Sequence, residues 1–224
     1  VSNTPDVLTD ATADIGLTLM LATARRAGEG ERMVRAGKWG GFGPKDLLGT
    51  HVTGKTVGIV GMGRIGEAIA RRCHFGFGMA VKYFSRSPKE LSFPAENAAS
   101  LLALAGSVDV LVTAVPASPA THHLINAEVL AAMQPHTHVI NIARGDVIDE
   151  AALISALQAR SIGGAGLDVY EQEPRIPEAL RALENVVLLP HLGTAALEVR
   201  VDMGLMAAHN LKVFMAGETP PNAV

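Results

Sequence analysis

Short apolar runs recur along the chain at residues 57–60 (VGIV), 80–84 (AVKYF), 108–113 (VDVLVT), 138–142 (HVINI), 164–167 (GAGL) and 186–189 (VVLL). Helix-compatible segments separate them at 64–74, 97–105, 126–133, 149–160 and 177–183. Runs this short and this continuously apolar are strands covered on both faces, and intervening helices make their connections parallel crossovers. The pattern predicts an α/β chain with a doubly wound parallel sheet of six strands.

Two longer helices flank this alternation. Thr9 or Asp10 caps a helix running through ADIGLTLMLATARR and ending near Gly28 or Gly30. It is apolar over most of its surface, so it is expected to be buried or to form a subunit contact. GKWGGFGPKDLLGTHVTG then reads as a glycine-rich loop, in which nothing assigns Trp39 a partner. A final helix spans about 195–216 and stops before Pro220 and Pro221, and Pro5 keeps residues 1–8 extended.

Composition narrows the function classes. Hydrophobic residues make up 48% of the 224 residues, enough for a sizeable core. Lys plus Arg number 19 against 22 acidic residues, a net charge of −3 that gives no general affinity for nucleic acid or an anionic membrane. The apolar run Ile15–Ala24 is too short to span a membrane and is bounded by Asp14 and Arg25. A single cysteine, Cys73, excludes an internal disulfide and fits a reducing, cytoplasmic compartment. No signal peptide is visible, and the initial Val1 points to a processed or truncated product.

The segment TVGIVGMGRIGEAIARR carries Gly61, Gly63 and Gly66 in G-x-G-x-x-G spacing, just after an apolar strand and opening a helix. In that context the first glycine allows a tight turn and the second lets backbone approach a pyrophosphate. The third lets helix and strand pack closely, with phosphates at the helix N-terminus. Met62, Arg64 and Ile65 share this turn and join the candidate cofactor contacts. The sheet is therefore expected to be of the Rossmann type. The chain divides into a crossover segment at 1–8, a dinucleotide-binding domain at 9–194, and a C-terminal helix and tail at 195–224.

Some twenty positions past such a loop, NAD-binding sheets carry an acid for the ribose hydroxyls. Here the second strand ends in Ser85, Arg86 and Ser87. A carboxylate would repel a 2′-phosphate, whereas arginine binds one through charge-assisted bonds and serine hydroxyls can donate to it. The expected cofactor is NADP(H) in preference to NAD(H). The plainer alternative makes Arg86 a solvated turn residue before Pro88.

Three further strand ends, in NIARGDVIDE, GLDVYEQEP and LLPHLGTA, place Arg144, Glu173 and His191 on the edge where parallel sheets bind ligands. Each alone has a bland reading as a salt-bridge partner, a solvated charge or a half-buried imidazole. Together they supply what carbonyl reduction needs. A cation orients a carboxylate and polarises a ketone, an imidazolium gives a proton, and a carboxylate holds that imidazole.

These motifs together resemble the D-isomer-specific 2-hydroxyacid dehydrogenase family, and most of all its glyoxylate/hydroxypyruvate reductase branch. The matching stretches are TPDVLTDATADIGLTLMLATARR, VGIVGMGRIGEAIARR, VPASPATHHLIN, NIARGDVIDE, AGLDVYEQEP and LPHLGTA, which span nearly the whole chain. The resemblance implies NADPH-dependent reduction of small 2-oxo acids, glyoxylate or hydroxypyruvate, to 2-hydroxy acids. Arg144, Glu173 and His191 would be catalytic. Val115, Pro116, Thr121, Ala143 and Gly193 would lie along the cofactor, and Asp168 would hold the nicotinamide carboxamide. It implies a homodimer through the helix starting near Asp10. It also implies a discontinuous substrate domain, largely absent from this chain, towards which the C-terminal helix returns. The chain alone is then expected to bind NADPH yet reduce glyoxylate poorly.

Rivals remain within the resemblance. Formate enzymes of the family put glutamine at the position of Glu173, and phosphoglycerate dehydrogenases usually keep an acid at that of Arg86. Corepressors built on this fold sense dinucleotide without catalysis and can retain the same three residues. His122, His123, His136 and His138 are read as solvated, with no carboxylate partners nearby, and no metal site is expected. Cys73 reads as a core or partly buried thiol.

Overall fold

The computed structural model describes all 224 residues. Seven strands form one all-parallel sheet: β1 (Thr56–Val60), β2 (Ala80–Phe84), β3 (Glu96–Asn97), β4 (Val110–Thr113), β5 (His138–Asn141), β6 (Gly164–Leu167) and β7 (Val186–Leu188). Their order is β3-β2-β1-β4-β5-β6-β7, so the chain reverses its direction of winding between β1 and β4. A doubly wound sheet opens a ligand crevice at that switch, outside the carboxyl ends of its strands.

The helices are α1 (Thr9–Ala24), α2 (Ala27–Arg35), α3 (Arg64–Phe77), α4 (Leu101–Ala105), α5 (Ala127–Ala131), α6 (Glu150–Gln158), α7 (Glu178–Arg181) and α8 (Leu197–Met215). They cover both faces and divide the interior into two apolar clusters. One gathers Leu19, Met20, Ile59, Ile69, Val112 and Ile140 under α1 and α3. The other gathers Leu104, Leu111, Leu130, Val139, Leu153 and Leu157 under α4, α5 and α6. Strands β4, β5 and β6 are buried at every residue, in keeping with their largely apolar sequences. No helix is long and apolar enough to cross a membrane.

Two expectations change. The sheet has a seventh strand, β3, where a helix was expected from residue 97; it is a two-residue edge pairing Glu96–Asn97 with Lys82–Tyr83. The helix begins at 101 because the Ser100 hydroxyl accepts the Ala103 amide and caps it there. The first helix also ends earlier than Gly28. The Ala24 carbonyl, which helix continuation would offer to Gly28, accepts the Thr50 amide at 2.7 Å. Arg26 turns left-handed (φ 53°) and α2 starts anew.

The two termini meet. The Asn3 amide donates to the Asn222 carbonyl, and buried Asn210 of α8 donates to the Asn3 carbonyl while accepting from Asn222. These contacts fasten the crossover segment to the C-terminal tail.

Candidate active site

The glycine loop sits at the switch point. Gly61 has φ 96°, and a side chain there would strike Val115 and the Ala114 carbonyl. A Cβ on Gly66 would lie 2.2 Å from the Gly61 oxygen, so loop and helix α3 can meet only as glycines. A Cβ on Gly63, in contrast, meets no protein atom within 4 Å, because this residue faces the cleft. The residues present fit a pyrophosphate. Backbone is exposed at Gly63, the N-cap of α3, where free amides and the helix dipole favour an anion.

The cleft has two connected parts that share Gly63, Ala114, Val115 and Pro116. One, of about 440 Å³, runs from Gly61, Met62 and Gly63 to Ser85, Arg86 and Ser87, with Thr121 on its other wall. The second, of about 660 Å³, runs from Arg64 and Ile65 to Ala143 and Arg144. Arg64 is exposed and ion-paired with Asp6 at 2.7 Å. Thr121 is braced by its hydroxyl, which donates to the Pro116 carbonyl at 2.7 Å. Gly66 lies behind the loop, and its contribution is packing.

At the β2 end the lining includes a residue missed in the sequence, Lys89, and contains no carboxylate. The turn is pinned by buried Tyr83, whose hydroxyl accepts the Lys89 amide at 3.0 Å, and by the Ser85 hydroxyl, which donates to the Ser87 carbonyl. Lys89 stands five residues beyond the strand, past a proline, so only the turn shows that it returns to the cleft.

Arg144 is presented by a buried polar knot, also missed. The Asn141 side-chain oxygen accepts from the Thr113 hydroxyl at 2.7 Å and from the Ala143 amide at 3.0 Å, and its amide donates to the Arg144 carbonyl. Asn141 is 1% exposed, so these bonds fix the turn rather than compete with water. Its one sequence signal is a polar residue closing an apolar strand. The Arg144 guanidinium spends one donor on the Ala143 carbonyl.

The next two loops carry Glu173 and His191. His191 Nδ1 lies 2.8 Å from Glu173 Oε2, and Glu173 Oε1 accepts the Tyr170 amide at 3.0 Å. With Nδ1 engaged, Nε2 is the imidazole nitrogen left to face a ligand. Burial pushes the Glu173 carboxyl up, but hydrogen bonds from His191 and Tyr170 and the charges of His191 and Arg144 outweigh it. The group is held below its ordinary value. His191 sits in the left-handed region (φ 55°), unusual without a glycine, and Asp168 holds it there. The Asp168 carbonyl accepts the His191 amide, and its carboxylate accepts the amides of Leu192 and Gly193 at 2.6 and 2.8 Å. Burial nevertheless raises the Asp168 carboxyl above its ordinary value. Asp168 and Gly193 thus grip each other beside the cleft rather than line either of its two parts.

The histidines are not all solvated, and three have carboxylates beside them. His123 Nε2 is 2.5 Å from Glu171, His136 Nε2 is 3.1 Å from Asp109, and His122 lies 3.9 Å from Asp146. His138 is buried, and desolvation lowers its pKa. The partners come from other strand ends, beyond the reach of local sequence. Cys73 is fully buried.

Residues 17–193 match the family described as D-isomer specific 2-hydroxyacid dehydrogenase, NAD binding domain. The glyoxylate reductase of Pyrococcus horikoshii is 50% identical over 230 aligned residues, covering 100% of this chain and 69% of that protein. The chain belongs to this family. As a D-2-hydroxyacid dehydrogenase it is an oxidoreductase with an NAD-binding Rossmann domain. Its fold matches the crystal structure of the NADPH-dependent glyoxylate/hydroxypyruvate reductase of Sinorhizobium meliloti in complex with NADP and malonate. That pair has a TM-score of 0.92 and 42% identity, over 100% of this chain and 70% of that one. A protein of Thermus thermophilus gives a TM-score of 0.94 at 45% identity, over 100% of this chain and 71% of that one.

Proposed function

We propose that this dehydrogenase uses NADPH in preference to NADH to reduce a small 2-oxo acid, glyoxylate or hydroxypyruvate, to its 2-hydroxy acid. The observation carrying the cofactor reading is the β2 end of the cleft, where Arg86 and Lys89 stand with serines and no carboxylate. Two cations there suit a 2′-phosphate, and the absence of an acid removes the usual partner of an unmodified ribose. The NADP complex of the Sinorhizobium meliloti relative and the glyoxylate reductases at about half identity support the same reading.

The bound cofactor would supply hydride to the substrate's C2. The remaining work falls to side chains. Arg144 has free donors for the substrate carboxylate and carbonyl oxygen, and its charge stabilises the developing alkoxide. His191 delivers the proton from Nε2 to that oxygen. Glu173 holds Nδ1, fixing which nitrogen faces the substrate and stabilising the imidazolium before transfer. Asp168 shapes the His191 loop through the Leu192 and Gly193 amides, whose bonds favour its charged form, while burial raises its pKa.

Residues 9–194 form the cofactor domain in this reading, in agreement with a family match over 17–193. A homodimer through α1 and the segment after α2 accounts for the exposure of Trp39, Phe42 and Leu48, and a monomeric mass in solution would count against it. Parallel titration with NADPH and NADH, followed by a glyoxylate turnover assay, tests the proposal. Equal affinities would remove the NADPH preference, and tight binding without turnover in the complete enzyme would favour a sensor.

A further inference from the structure

The His123–Glu171 contact belongs to neither the cleft wall nor the proton relay, yet it joins the two. His123 is left-handed (φ 48°) without being glycine, a conformation that persists only where its surroundings enforce it. Two contacts do so: its amide donates to the Asp146 carbonyl at 2.7 Å, and its Nε2 meets Glu171 Oε1 at 2.5 Å.

The segment around His123 touches each functional loop. Two residues earlier, Thr121 lines the nucleotide cleft. Two residues later, Ile125 exchanges backbone bonds with Val147 and Asp149, in the stretch that follows Arg144. Across the contact, the Glu171 amide points to the Glu150 carboxylate at 3.4 Å, and Glu173 follows two residues on. His122 stacks on His123 with ring centroids 4.0 Å apart, which limits rotation of the imidazole.

We propose that His123 is a positioning residue: its contact with Glu171 holds the loop carrying Glu173 in register with the nucleotide cleft. Its kinetic consequence rests on the reductase reading above; its structural consequence does not. Loss of the contact leaves the 170–173 turn tied through its backbone neighbours but free to shift by the fraction of an ångström that matters for aligning His191.

The test compares His123→Ala, His123→Gln, Glu171→Gln and the double variant His123→Ala/Glu171→Gln. Hydrogen exchange at the Tyr170 amide, which bonds Glu173, is expected to quicken about tenfold in His123→Ala while β1 and β4 amides keep their protection. Gln, which can still donate to Glu171, restores most of it. In the complete enzyme, kcat for glyoxylate falls about tenfold with KM for NADPH nearly unchanged, and the double variant loses no more than either single one. Unchanged Tyr170 exchange in His123→Ala, a uniform loss of protection across the sheet, or no rescue by Gln would each overturn the proposal. A wild-type enzyme without glyoxylate turnover would refute the reductase reading alone, leaving exchange to decide the role of His123.

Discussion

Glu173 and His191 are 18 residues apart in sequence and 2.8 Å apart in space, joined through Oε2 and Nδ1. The pair connects two strand-end loops, one after β6 and one after β7, and leaves a single imidazole nitrogen directed outward.

The folded-state pKa of Glu173 lies below its ordinary 4.5. Its contribution to stability is therefore fully present above that value and is lost as pH falls through the folded pKa. Glu173→Gln should lower the thermal midpoint at about pH 7, and its gap to wild type should narrow as pH falls below 4.5 and through the folded pKa. A gap independent of pH would deny that the carboxylate charge matters. For turnover in the complete enzyme, His191→Ala is expected to cost about 100-fold or more in kcat, the usual share of a general acid.

Arg86→Asp replaces a cation at the β2 end of the cleft with an acid, so the ratio of NADPH to NADH affinity should fall by about 100-fold, and Lys89→Ala should give a smaller change in the same direction. Isothermal titration of both cofactors measures this. An unchanged ratio would return the Ser85–Ser87 turn to an ordinary solvated loop.

Gly145 follows Arg144, and a Cβ there would lie 1.8 Å from the Tyr170 carbonyl carbon. Gly145→Ala must therefore displace the backbone beside Glu171. An overpacking cost of about 1–3 kcal/mol corresponds to a thermal midpoint lower by roughly 3–10 °C. Calorimetry gives the midpoint. A variant as stable as wild type would mean that the loops separate easily.

Burial pushes the Cys73 thiol up to about 12. It should resist a disulfide reagent in the native chain and react only as fast as the protein opens. Rapid labelling at neutral pH, without loss of the fold, would contradict the packing of α3 against β1 and β2.

Much of this was legible in the chain because its signals are local. Continuous apolar runs identify strands buried on both faces, and glycine spacing at a strand-to-helix turn identifies the switch-point loop. The order of strand ends aligns Arg144, Glu173 and His191 on one edge. The two-residue strand β3 left no pattern, being short, polar and at the edge. The end of α1 depends on Thr50, 26 positions away, taking the Ala24 carbonyl.

Residue type and local periodicity determined the parallel sheet, the nucleotide loop and the set of candidate groups. Tertiary structure alone decided which groups are held and by what. It brought Lys89 back beside Arg86, tied Asn141 to Thr113, turned the Asp168 carboxylate onto the amides after His191, and gave His123 a carboxylate partner from another loop. These contacts join strand ends through loops that differ in length and composition. Their partners are chosen by sheet order and loop packing, which no local window of sequence contains.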